Sequence, residues 1–184
     1  MNQALIGFGS NLGNRLEYLT KAIEFLNTAE DRILQVANIQ HSRPMGSADR
    51  EFINTVLLIE TNLEPSSLLL KMHDIETALG RTREVSWGNR CIDLDLLLYR
   101  PYNVRKKRLE DCLVIQNDLL TLPHPEMHKR DFVLLPAVEV AADWVHPLFN
   151  KTLRQLKFEN NYENYIHAKT AETLLFITQE AQLF

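Results

Sequence analysis

The stretch RCIDLDLLLY, residues 90–99, is apolar and strand-like except for two aspartates two positions apart, Asp93 and Asp95. In a strand, residues i and i+2 share a face. Asp93 and Asp95 therefore project together, with Cys91, Leu97 and Tyr99 expected on their side. Ile92, Leu94, Leu96 and Leu98 form the opposite face, suited to packing on helices. The two carboxylates sit roughly 6–7 Å apart at their Cα atoms and repel each other unless something compensates them. A hard divalent cation does so, since Mg²⁺ takes one or two carboxylates and fills its other positions with water and phosphate oxygens. A solvated surface face is the alternative.

Working outward, the same strand closes a regular pattern. QALIGFG (3–9) reads as a first strand, and the helix after Asn14 places Leu16, Leu19, Ile23 and Leu26 on one face. Asn14 and Glu17 have the spacing of a capping pair. RILQVANIQH (32–41) reads as an alternating strand, and FINTVLLIET (52–61) as another. PSSLLLKMHDIETALG (65–80) is a helix with Pro65 in its first turn and Gly80 at its end. The order is β-α-β-β-α-β. This predicts an α+β protein with a ferredoxin-like core in an α/β/α sandwich with C-terminal additions. Residues 1–150 are expected to form the main domain. Residues 151–184 are expected to be a helical extension packed on it, with an amphipathic helix at 170–184. LVIQNDLLTLPHP suggests short strands, and DFVLLPAVEVAADW a short helix interrupted by Pro136.

Composition narrows the function. The 184 residues are 45% hydrophobic with a formal charge of −4. Such a chain builds a core and lacks the basic surplus of a general nucleic-acid binder. Two cysteines, Cys91 and Cys112, are not spaced as a zinc or disulfide motif. No stretch reads as a signal peptide or membrane span, so a cytoplasmic setting is expected; a monomer is expected as well. No Walker A sequence is present, and GFGSNLG lacks the kinase spacing. Yet cations crowd the acidic pair in sequence: Arg81, Arg83 and Arg90 before it, His124, Lys129 and Arg130 after it. Acid for metal and base for phosphate suit phosphoryl transfer.

Four ordered segments carry a resemblance over roughly residues 3–147. They are GFGSNLGNR, RPMGSADREFIN, ALGRTREVSWGNRCIDLDLLLY and LPHPEMHKRDFVLLP. Together they resemble the 6-hydroxymethyl-7,8-dihydropterin pyrophosphokinase family of folate biosynthesis. That resemblance implies transfer of diphosphate from ATP to the pterin hydroxymethyl group, with AMP released and two Mg²⁺ ions required. By motif position, Asp93 and Asp95 hold the metal. Arg81, Arg83 and Arg90 serve catalysis on a loop that closes over the reactants. His124, Thr121, Arg81 and Arg90 contact ATP. Asn54, Phe52, Phe132, Trp87, Pro44 and Met45 form the pterin site. Without the resemblance, Phe52 and Phe132 read as core, Asn54 as a strand-edge amide and Trp87 as a loop anchor. Ser86, Asn89 and Arg43 depart from the family pattern. They keep open a diverged enzyme acting on another pterin. A non-catalytic ligand-binding module on the same scaffold is the other alternative.

Overall fold

The structure is a computed structural model, described for residues 1–81, 88–159 and 165–170. The chain runs β1 (Asn2–Ser10), α1 (Arg15–Leu26), β2 (Asp31–Val36), β3 (Ile39–Ser42), β4 (Phe52–Thr61), α2 (Pro65–Ala78) and β5 (Asp93–Arg100). Two small hairpins follow, β6 (Tyr102–Asn103) with β7 (Arg108–Leu109) and β8 (Ile115–Gln116) with β9 (Thr121–Leu122). Then come α3 (Asp131–Ala141), the hairpin β10 (Val145–His146) and β11 (Lys151–Thr152), α4 (Leu153–Glu159) and β12 (Ile166–Thr170). Local chemistry starts the first two helices. The Asn14 side chain accepts from Glu17 N–H and donates to the Glu17 carboxylate, and Pro65 opens α2.

The main sheet is antiparallel throughout, in the order β12-β3-β4-β1-β5, with β2 also paired to β4. Helices cover both faces. Leu19, Ile23 and Leu26 of α1 and Leu68 and Met72 of α2 pack with Ile6, Phe8, Leu57 and Leu94 in one core. Leu134 and Ala137 of α3 and Leu153 and Leu156 of α4 pack with Leu5, Val56 and Leu58 in the other. Burial on both faces explains why β4 is apolar almost without alternation. Leu16, expected on the buried face of α1, is instead 41% exposed.

Four further expectations need correction. First, residues 32–41 are not one strand. β2 pairs with residues 57–61 of β4 and β3 with residues 52–54. At the break, the Asn38 backbone and side-chain amides both donate to Glu139 on α3, at 2.9 and 3.1 Å. Second, β5 does not alternate to its end. Leu5 pairs with Leu98 but Ile6 with Leu96, so Leu97 is an extra residue in a bulge. Leu97 and Leu98 both join the α3 side, and Tyr99 turns to the α1–α2 side, where its hydroxyl donates to Leu63 O at 2.6 Å. Cys91 also packs on that side. Third, α3 runs through Pro136 rather than stopping there. Fourth, the extension is only partly helical: α4 is followed by β12, which adds an edge strand to β3. The helix expected at 170–184 lies outside the described residues.

Candidate active site

Register across three strands builds the site. Gly9 of β1 lies between Asn54 of β4 and Asp93 of β5, and Gly7 lies between Val56 and Asp95. All six residues therefore share the face toward α3. With no side chain at positions 7 and 9 of β1, the sheet is hollowed there. A Cβ at Gly9 would come within 3.2 Å of Asn54 Oδ1, whereas one at Gly7 would make ordinary contact with Leu97 at 3.5 Å. A cleft of about 600 Å³, counting its solvent-open mouth, lies above these glycines. Phe52, Asn54, Met45, Phe132, Arg43 and Arg130 line it, together with Arg90 and the two aspartates. A second cleft of about 1120 Å³ is lined by Glu76, Arg81, Thr121 and His124, and again by Arg90, Asp93 and Asp95. The acidic pair and Arg90 thus border both clefts. One is apolar and aromatic-lined; the other is polar, with arginines and carboxylates facing it together.

The charges interlock around Asp93. Arg81 Nη1 reaches Asp93 Oδ1 at 2.6 Å and Arg90 Nη1 reaches Asp93 Oδ2 at 2.9 Å. Arg81 also pairs with Glu76, a carboxylate only 1% exposed. Glu76 additionally accepts the Leu94 N–H at 2.7 Å, so it ties α2 and the Arg81 side chain to β5. Asp95 is pushed up to about 7, first by its removal from water, then by the Asp93 charge; Arg130 opposes the rise. His124 is pulled down to about 4, chiefly by burial and then by Arg130. Its Nδ1 accepts the Glu126 N–H at 3.2 Å, which assigns the proton of the neutral ring to Nε2. His124 itself is hung from the β5 bulge, its N–H donating to Leu97 O at 2.9 Å.

Arg90 is fixed by the end of β1. Its N–H donates to Asn11 Oδ1 at 2.7 Å, and Asn11 N–H returns a bond to Arg90 O at 3.1 Å. The guanidinium stands over the Phe52 ring, 5.7 Å from its centroid. Arg90 Nε is buried with no acceptor among the described residues, an unmet donor beside the acidic pair. Asn89, one of the departures noted above, links loops: its side chain accepts from Asn11 Nδ2 at 2.7 Å and donates to Asp49 at 2.6 Å.

Most of the expected residues converge. Asp93, Asp95, Arg81 and Arg90 meet at the junction; Thr121 and His124 line the polar cleft; Asn54, Phe52, Phe132 and Met45 line the apolar one. Pro44 does not line it, although its neighbours Arg43 and Met45 do. Arg83 and Trp87 lie outside the described residues. Lys129, one of the clustered cations, instead pairs with Glu126 at 2.7 Å. Sequence reasoning missed Glu76, Gly7, Gly9 and Asn11 as site residues. A signal for Glu76 existed: it falls four residues after Met72 on the buried stripe of α2. Among the described residues, no three His, Cys, Asp or Glu side chains are grouped to hold a metal. Two neighbouring carboxylates at the edge of a polar cleft that also holds Arg81 and Arg90 nevertheless fit Mg²⁺, which leaves most of its positions to water and phosphate.

Residues 5–142 match the family model for 7,8-dihydro-6-hydroxymethylpterin-pyrophosphokinase (HPPK). The chain belongs to this family. It is 36% identical over 166 residues to the 2-amino-4-hydroxy-6-hydroxymethyldihydropteridine pyrophosphokinase of Aquifex aeolicus, covering 90% of this chain and 96% of the relative. The Bacillus subtilis enzyme of the same name is 40% identical over 141 residues, covering 76% and 78%. Solved HPPK-DHPS structures share the fold. One in complex with substrates has a TM-score of 0.63 at 15% identity, covering 90% of this chain and 46% of that one. A Plasmodium falciparum chain has the same score and identity, covering 94% and 50%. This HPPK-family chain thus spans about half the length of those solved chains.

Proposed function

We propose that this chain performs the reaction for which its family is named, moving diphosphate from ATP to 6-hydroxymethyl-7,8-dihydropterin. The observation that carries this reading is the meeting of two unlike clefts at one acidic pair. In the reaction, the pterin hydroxymethyl oxygen attacks the β-phosphorus of ATP and gives up its proton to solvent. The bond from that phosphorus to the oxygen bridging it to the α-phosphate breaks, and AMP leaves. ATP takes the polar cleft, with the neutral His124 donating from Nε2 and Thr121 nearby. Arg81 and Arg90 are held at the junction, where polyphosphate competes with Asp93 for their donors; the unmet Nε of Arg90 favours an anion there. Asp93 and Asp95 would hold two Mg²⁺ ions, which supply charge neutralisation along the transferring group when bound. The pterin lies in the apolar cleft, its edge read by Asn54 and its faces met by Phe52 and Phe132. Asn54 is already oriented, since its Nδ2 donates to Ser42 Oγ at 2.8 Å.

The antiparallel neighbours β3-β4-β1-β5, with two helices in the crossovers, support the ferredoxin-like reading. A catalytic domain of residues 1–150, a monomeric state and a cytoplasmic setting complete the proposal. No described helix is long and apolar enough to cross a membrane. Incubation with ATP, Mg²⁺ and hydroxymethyl-dihydropterin should yield AMP and the pterin diphosphate in equal amounts. ATP binding without AMP formation would reject the reaction. AMP formed with a different pterin alone would turn attention to Arg43, the cleft-lining residue that departs from the family pattern.

A further inference from the structure

Tyr165 lies beyond residue 142, where the family match ends, yet it touches the apolar cleft's supports from three directions. Its ring meets Phe132 edge to face, with centroids 5.7 Å apart and planes at 78°. Its carbonyl accepts the Arg43 N–H at 3.0 Å, fixing the loop that carries Met45. The next residue, Ile166, pairs with Ser42, whose hydroxyl accepts from the Asn54 amide. One buried carboxylate binds these parts together. Asp131, 2% exposed, accepts the Phe132 N–H on Oδ1 at 2.7 Å, and the Tyr165 and Ile166 N–H groups on Oδ2, each at 2.8 Å. A side chain at the start of α3 thus anchors both a cleft phenylalanine and the start of the edge strand.

We infer that Tyr165 is a positioning residue for pterin recognition, holding the Phe132 ring and the 42–45 loop in place. The inference rests on the apolar cleft being the pterin site. An aromatic ring held by a perpendicular neighbour has fewer orientations to lose when a heterocycle stacks on it. Neither Tyr165 nor Phe132 lines the polar cleft, so removal of the contact should act on one substrate alone. A general loss of structure would instead affect both.

Steady-state kinetics on the full chain test this, with melting temperatures recorded for every variant. Tyr165→Ala should raise the KM for the pterin roughly two- to tenfold, the worth of one edge-to-face contact. The KM for MgATP should stay within about twofold, and Tyr165→Phe should restore the parent value because the ring, not the hydroxyl, makes the contact. Tyr165→Leu keeps apolar bulk without an aromatic edge and should behave like the alanine variant; it carries the test if Tyr165→Ala fails to fold. Phe132→Ala serves as the control. A raised pterin KM for Phe132→Ala but a parental one for the soluble Tyr165 variants would overturn the inference and leave the cleft assignment standing. A parental pterin KM for Phe132→Ala would overturn the assignment itself. Equal rises in both KM values on loss of Tyr165 would mark a merely structural role and also overturn the inference.

Discussion

Asp93 has both carboxylate oxygens engaged by arginines, while Asp95, two residues on, is held closer to neutrality by burial and by Asp93 itself. The pair therefore divides its work before any ligand arrives. Asp95→Ala should cut turnover by at least about a hundredfold while leaving the melting temperature no lower, because it removes a repulsion along with a ligand. Stopped assays and a thermal melt check both halves, and near-parental turnover at saturating Mg²⁺ would remove Asp95 from the metal site. Glu76 is argued from the same geometry. Glu76→Gln keeps an acceptor for the Leu94 N–H but drops the charge behind Arg81. Turnover should fall roughly 10- to 100-fold, as for other groups that orient a site from behind it. A parental rate would show that Arg81 needs only Asp93. The aspartates and arginines were legible in the sequence because strand spacing alone puts the two carboxylates on one face. Glu76 was not, because its partners are brought together by packing: Leu94 is eighteen residues away.

Among the elements, β1 contributes by what it lacks. Gly9→Ala would push a methyl against Asn54 Oδ1, whose amide cannot swing away freely while Nδ2 is bonded to Ser42. Pterin affinity should drop several-fold, within the roughly 1–3 kcal/mol of a disturbed buried hydrogen-bonding group. Gly7→Ala meets only Leu97 at normal contact distance and should bind nearly as the parent. Calorimetry on the two variants separates them; equal affinities would place the pterin elsewhere. Element types were readable from apolar runs and their spacing, as the matching bounds of β4, an almost unbroken apolar run, show. The bulge at Leu97 was not, since L-L-L is silent about which leucine is extra. Nor was the break between β2 and β3, which depends on Glu139 arriving from α3 a hundred residues later.

For the whole molecule, two cores on opposite faces of one sheet must both hold. On the α3–α4 side, His146 is 1% exposed, stacked near Phe149, and neither ring nitrogen has a hydrogen-bond partner among the described residues. Burial, then neighbouring His128, lowers its pKa from 6.5 to about 4. Between those values the unfolded chain binds a proton that the native ring refuses. Stability should therefore fall as pH drops from about 6.5 through 4, by on the order of 3 kcal/mol in all. His146→Phe should flatten this segment of a pH-dependent unfolding curve, and an unchanged acid slope would acquit the residue. The sequence indicated the sandwich because alternating helices and strands leave few other layers to build. It misjudged the extension because β12 owes its form to the open edge of β3, a partner that no local pattern announces.

The glycine floor of the apolar cleft bears on resistance to inhibitors. A flat compound seated over Gly9 and clear of Gly7 rests on main chain, which no substitution can delete. The nearest escape is to raise the floor at Gly9, and the 3.2 Å gap to the Asn54 oxygen makes that change strike the natural substrate as well. Compounds confined to this footprint should select escape variants at the rim, at Arg43 or Met45, where a side chain can be altered without disturbing Asn54.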